Sequence, residues 1–195
     1  WPEQYPLIQF GSWVGGDRDG HPFVTPKFTA STLRLHRKLI LNKLHHQLVD
    51  IADRLSFSSY LNAIPEELLD DIAAQAKIFG EEGQKAVDRN PSEPLRQFVN
   101  LLLVRLDHTI SDKQTLGDVG YFQSSDDLWK ELKKLRKVLI EVGAARIAKQ
   151  WLFPVERMVQ CFGFHLTKLD IRQNSDYHEK AISQILASCG SEDSD

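Results

Sequence analysis

The sequence predicts a mainly α protein, a succession of amphipathic helices with two short strands that complete no sheet of their own. Three observations predict it. Apolar residues recur at three- and four-residue steps through several long segments. Two stretches, "PLIQFGSWV" near the start and "FGFHLTKLDIRQNS" near the end, alternate instead. The 195 residues are 42% apolar, enough to bury a real core in one domain or one and a half.

The first alternating stretch sets Ile8, Phe10, Ser12 and Val14 against Leu7, Gln9, Gly11 and Trp13, a strand rhythm that leads into glycines. The chain then turns between Pro22 and Pro26. Over residues 29–55, Leu33, Ile40, Leu44, Leu48, Ile51 and Leu55 mark one long amphipathic helix. "PEELLDDIAAQAKIF" has proline and acids in its first turn and stops at Gly80, which makes a second. Residues 80–94 are polar and broken by Pro91 and Pro94, and read as a loop. Leu95, Phe98, Leu102 and Leu106 form the stripe of a third helix, and residues 111–123, with Gly117 and Gly120, are a connection. "SSDDLWKELKKLRKVLIEVG" shows a Ser N-cap, acids in the first turn and Gly143 past the last one, a fourth helix.

A fifth helix runs from about Ala144 and must be interrupted or kinked near Pro154. In the second alternating stretch His165, Thr167, Leu169 and Ile171 share one face and Lys168, Asp170 and Arg172 the other, so the charged face is expected to look into a polar cavity. A final helix over residues 175–188 is expected to carry Ile182, Ile185 and Leu186 inward and to stop at Gly190. The tail "GSEDSD" reads as disordered. The expected organisation is a single helix-rich piece, residues 1–190, with a disordered tail at 191–195. Two isolated strands make no stable sheet. Either they pair with each other, or each belongs to a larger sheet or barrel whose other strands lie outside this chain.

Composition excludes several function classes. A net charge of −3 and a pI near 6.2, with Lys and Arg spread along helices, leave no electrostatic footprint for nucleic acid. No run approaches the roughly 18 apolar residues of a bilayer span, and no signal segment opens the chain. Cys161 and Cys189 have neither metal-ligand nor disulfide spacing, which favours the reducing cytoplasm. The opening "WPEQYPLI" lacks a methionine and heads for a strand, so the N-terminus is expected to be a cut within a larger protein.

"FGSWVGGDRDGHP" is the segment least suited to a helix or an ordinary loop. Gly15, Gly16 and Gly20 permit positive φ and close backbone approach, and Asp17, Arg18 and Asp19 put a cation between two carboxylates. A tight turn braced by a salt bridge is one reading. A calcium loop fails, because the register reaches Pro22, Val24 and Phe28 where oxygen ligands are needed. Neither the P-loop nor the dinucleotide fingerprint matches. Trp13 is either a core residue or the wall of a ligand site. Arg172 could fork a phosphate or carboxylate, or could be neutralised internally by Asp170. His36, His45 and His46 lack the i, i+4 spacing that puts two imidazoles on one metal, and no metal is assigned.

Taken as a pair and in this order, "FGSWVGGDRDGHPFVT" and "FGFHLTKLDIRQNS", separated by helices, resemble phosphoenolpyruvate carboxylase. The first is similar to that family's Trp-Gly-Gly-Asp-Arg-Asp-Gly signature and the second to its Leu-Asp-Ile-Arg-Gln strand. The resemblance implies an internal piece of a much longer enzyme. The two strands then belong to its (β/α) barrel and the helices to its shell. It implies a reaction of phosphoenolpyruvate with bicarbonate, giving oxaloacetate and phosphate through carboxyphosphate and an enolate. Trp13 matches the indole beside the substrate's methylene carbon and Arg172 an arginine that binds its phosphate. Gly15, Gly16, Asp17, Arg18, Asp19 and Gly20 match the signature and are expected to shape the loop. The family's catalytic histidine lies upstream, and the ligands of its Mg²⁺ or Mn²⁺ lie downstream, so this piece alone is expected to be inactive. The parent enzyme is expected to be cytoplasmic and homo-oligomeric. His21 stands where the family commonly has asparagine, and Asn174 where glutamate usually follows the Arg-Gln pair. The alternative is a non-catalytic binding or regulatory module that kept the fold.

Overall fold

The computed structural model describes residues 8–19, 21–60, 63–111 and 120–189. Its elements are β1 (Gly11–Ser12), α1 (Pro26–Ala52), α2 (Glu66–Phe79), α3 (Glu81–Asp88), α4 (Pro94–Ile110), α5 (Ser125–Glu141) and α6 (Ala145–Ile147). A π-helical segment (Ala148–Leu152), α7 (Phe153–Phe162), β2 (Lys168–Leu169) and α8 (Ser175–Cys189) follow. The mainly α expectation holds. The chain divides into two compact units, one built on Arg37–Leu166 and the other on Gln9–His36 with the described part of Thr167–Asp195.

In the first unit the predicted apolar stripes are the core. Ile40, Leu41, Leu44, Leu48 and Ile51 of α1 are buried, as are Leu95, Phe98, Leu102 and Leu106 of α4 and Leu128, Leu132, Leu135 and Leu139 of α5. Each stripe follows the three- and four-residue step that puts side chains on one helix face. α2, α3 and α4 pack on one another, and α5 packs on α7. Polar contacts also cross between these helices, and the two with a buried ionisable partner join α5 to α7 and α4 to α3. Glu156 of α7, buried, has Oε1 3.1 Å from Arg136 Nε of α5. His108 of α4, also buried, has Nε2 2.6 Å from Glu82 Oε2 of α3.

The stretch 80–94, expected to be a loop, contains α3. This helix is too short, and its buried side too narrow, to show a stripe: only Gly83 and Ala86 of its residues are buried. Its stabilising features are polar, with Glu81 and Glu82 at the positive end of the helix dipole and a Glu81–Lys85 i, i+4 pair at 2.6 Å. α1 begins three residues before the expected start, because Pro26 serves as its first residue and the Thr25 hydroxyl accepts the Phe28 N–H at 3.2 Å. The break expected near Pro154 is present. Proline supplies no N–H to the α ladder, and the chain passes through the π-helical turn at Ala148–Leu152 before α7 resumes with Pro154 in its first turn.

In the second unit β1 and β2 pair in parallel, Gly11 with Lys168 and Ser12 with Leu169, so the two strands do find each other. Only four residues enter the ladder, with an isolated parallel bridge from Asp17 to Arg172 beyond it. The inward face expected for α8 is not observed. Ile182, Ile185 and Leu186 are 57–66% exposed, because the periodicity marks an apolar face without supplying what buries it. Leu33, in the first part of α1, is likewise exposed. Gly20, Gly117, Gly190 and the tail at 191–195 lie outside the described residues.

The Ser N-cap of the fourth predicted helix is Ser124, in a full capping box: Asp127 N–H donates to Ser124 Oγ at 3.3 Å, and Ser124 N–H to Asp127 Oδ2 at 3.1 Å. Burial opposes the carboxylate's charge, but hydrogen bonds from the Ser124 hydroxyl and backbone, with Lys130 nearby, outweigh it. The Asp127 carboxyl is held below its ordinary value of 3.8. Replacing Asp127 by alanine should cost about 1 kcal/mol at neutral pH, read by urea unfolding. Since the folded value is the lower one, that contribution is fully present above about pH 4 and fades as pH falls through the depressed value. The gap between wild type and Asp127→Ala should close in acid.

Candidate functional site

Four hydrogen bonds turn the glycine segment back on itself and onto the second strand. Trp13 C=O accepts the N–H groups of Gly16 and Asp17, each at 2.9 Å, which closes the turn. Arg172 N–H then donates to Gly16 C=O at 3.1 Å, and Arg18 N–H to Arg172 C=O at 2.8 Å. This is the backbone bridge between Asp17 and Arg172.

Sequence dictates this path through two glycines. A Cβ on Gly16 would lie 2.3 Å from the Asp170 carbonyl oxygen, so only a hydrogen at that position lets the turn reach the strand. Gly15 has φ +87°, and a Cβ there would collide with the Thr32 side chain at 2.4 Å. Both residues are buried.

The side chains follow from that backbone. The guanidinium carbon of Arg172 lies 5.2 Å from the centroid of the Trp13 ring, within cation–π range. Its Nη1 is 3.8 Å from Asp17 Oδ2. The internal neutralisation considered for Asp170 is therefore replaced by a partner from the other motif. Arg18 is not braced between its neighbouring carboxylates: its Nη2 donates to Thr29 Oγ1 on α1 at 3.2 Å. Asp17 Oδ1 instead accepts the Asp19 N–H at 3.1 Å, an Asx turn inside the loop. Trp13 is 59% exposed and the Arg172 side chain 49%, so indole and guanidinium are both open to a ligand.

Sequence reasoning missed Thr29 and Thr32. Thr29 is buried and anchors Arg18, while Thr32 packs against Gly15. Their signal was the three-residue spacing of two hydroxyls near the start of a helix, which put both on the face turned to the loop. The Asn174 departure acquires a local reason. Its Oδ1 accepts the Asp176 N–H at 2.9 Å, so Asn174 caps α8, a role asparagine fills well. His21 is exposed and stands edge-on to Phe23.

Among the described residues no three His, Cys, Asp or Glu side chains gather into a set that could hold a metal ion, so none is assigned to one. No described helix is long and apolar enough to cross a membrane.

The family model described as phosphoenolpyruvate carboxylase matches residues 1–194. The chain belongs to the phosphoenolpyruvate carboxylase family. It is 33% identical over 181 residues to the phosphoenolpyruvate carboxylase of Methylorubrum extorquens, an alignment covering 92% of this chain and 20% of the relative. The enzyme of that name from Bradyrhizobium diazoefficiens is 33% identical over 186 residues, covering 92% and 19%. The one from Roseiflexus castenholzii is 30% identical over 194 residues, covering 95% and 21%. This phosphoenolpyruvate carboxylase family chain thus spans about a fifth of the length of the curated relatives it matches.

The glycine contacts separate two superficially equal substitutions. A Cβ on Gly11 would meet nothing closer than Asp170 Oδ2 at 3.6 Å, an ordinary contact. Gly16→Ala should therefore lower stability by about 1–3 kcal/mol, the range for forced overpacking, while Gly11→Ala changes it by less than about 0.5 kcal/mol. Thermal or urea unfolding checks the pair.

Proposed function

We propose that this chain is part of a phosphoenolpyruvate carboxylase that joins phosphoenolpyruvate and bicarbonate into oxaloacetate and phosphate, and that Trp13 and Arg172 line its phosphoenolpyruvate pocket. The observation that carries the reading is the approach of the Arg172 guanidinium to within 5.2 Å of the Trp13 indole, across a backbone bridge between opposite ends of the sequence. Residues 1–190 are then one helix-rich piece of the enzyme. The catalytic histidine and the ligands of the divalent ion come from outside it, and the piece is inactive alone.

The two side chains have separable tasks. Arg172 presents a planar fork to the substrate phosphate and offsets charge as the phosphoryl group moves to bicarbonate. Trp13 lays an apolar ring beside the methylene carbon. That carbon becomes nucleophilic once the phosphate has left, and it must meet carbon dioxide before it meets water.

Incorporation of labelled bicarbonate by the longer protein tests the first task. Arg172→Gln removes a charge-assisted contact of about 1.5–3 kcal/mol and should reduce kcat/KM for phosphoenolpyruvate by about 10- to 100-fold. Unchanged kinetics would reject the assignment. The second task predicts a change in products. Trp13→Ala admits water to the enolate carbon, so more pyruvate should form for each oxaloacetate, measured by coupled assay of both; an unaltered ratio removes the wall from the account.

A further inference from the structure

We infer that Asp17 is a positioning residue, a carboxylate that holds the Arg172 guanidinium in place to receive the substrate phosphate. The inference rests on the role proposed above for Arg172 and extends it to a residue that otherwise only shapes the loop.

The carboxylate has a neighbour at each oxygen. Oδ1 is held by the Asp19 N–H at 3.1 Å, a bond made within the turn and independent of Arg172. That bond directs Oδ2 toward Arg172 Nη1, 3.8 Å away. The backbones beneath the two side chains are bridged to each other, so neither Cα can drift relative to the other. On the indole side the guanidinium carbon is 5.2 Å from the Trp13 centroid, and Trp13 C=O accepts the very N–H of Asp17 that starts the Asx turn. The guanidinium is bracketed by a ring and a carboxylate that belong to one hydrogen-bonded turn.

An arginine on an open surface is a poor receptor until its rotamers are restricted, because freezing a long side chain costs conformational entropy. With Asp17 Oδ2 near one terminal nitrogen and the indole beside the plane, much of that ordering is complete before substrate arrives. A carboxylate also repels the incoming phosphate, but with the Arg172 and Asp17 side chains 49% and 34% exposed, solvent weakens that repulsion. Positioning outweighs it.

The experiment is a double-mutant cycle in the longer, catalytically assayed protein, with Asp17→Asn, Arg172→Gln and the pair together. Asparagine keeps the Asx-turn acceptor and removes the charge. Asp17→Asn should reduce kcat/KM for phosphoenolpyruvate by about fivefold to tenfold, carried by KM more than by kcat, and it should have no further effect once Arg172 is glutamine. Asp17→Glu should recover part of the loss. A fall in KM for Asp17→Asn would mean that repulsion dominates and would overturn the inference. So would an unchanged KM, or a loss that persists in full beside Arg172→Gln. If Asp17→Asn does not fold, Asp17→Glu carries the cycle in its place, with partial loss expected and full additivity decisive against it. Should Arg172→Gln alone leave kinetics untouched, the pocket assignment itself has failed, a result distinct from a silent Asp17→Asn beside a damaging Arg172→Gln.

Discussion

The approach of Gly16 to the Asp170 carbonyl is the constraint on which the junction of the two motifs depends. A side chain at position 16 would hold the turn off the strand by more than any neighbouring rotamer could absorb, since the obstructing atom is backbone. With hydrogen there, Gly16 C=O and Arg18 N–H both reach Arg172, and the remaining geometry follows without further adjustment. The indole and the guanidinium meet because two main chains meet. Charge attraction between side chains is a refinement of that contact rather than its cause.

The unit built on Arg37–Leu166 is held by a different kind of force. Its stripes of leucine remove apolar surface from water along α1, α4 and α5, and polar contacts such as Arg136–Glu156 and Glu82–His108 add links between helices. The Arg136–Glu156 contact joins α5 to α7, and a buried carboxylate of this kind is tolerated only with a cation beside it. The π-helical turn before α7 has an equally local origin: a proline within a helical stretch must be met by a change of hydrogen-bond register or by a break.

What the sequence made legible divides along these lines. α2, α4 and α5 are readable because their caps and apolar spacing are local quantities, written within one or two turns of chain. α3 was not, since only Gly83 and Ala86 of its residues are buried and its stabilising pairs look like any solvated surface. The nature of the candidate site, a tight glycine turn near an arginine-bearing strand, was visible. Its wiring was not. Alternation places Asp170 and Arg172 on one face, yet residues two apart on a strand are separated by about 7 Å of rise, whereas Asp17 arrives by register from the partner segment. Register between distant segments is a property of the folded chain. The exposed face of α8 shows the same limit, because spacing identifies an apolar side and is silent about its cover.

The shortness of β1 and β2 fixes an order of assembly. Two residues from each strand, drawn from opposite ends of the sequence, offer little enthalpy for closing nearly the whole chain into a loop, and that closure entropy must be met before the pairing returns anything. The helices, whose contacts are mostly between neighbours in sequence, can consolidate first. A seam this late and sparing is expected to exchange its amide protons ahead of those in the buried helices.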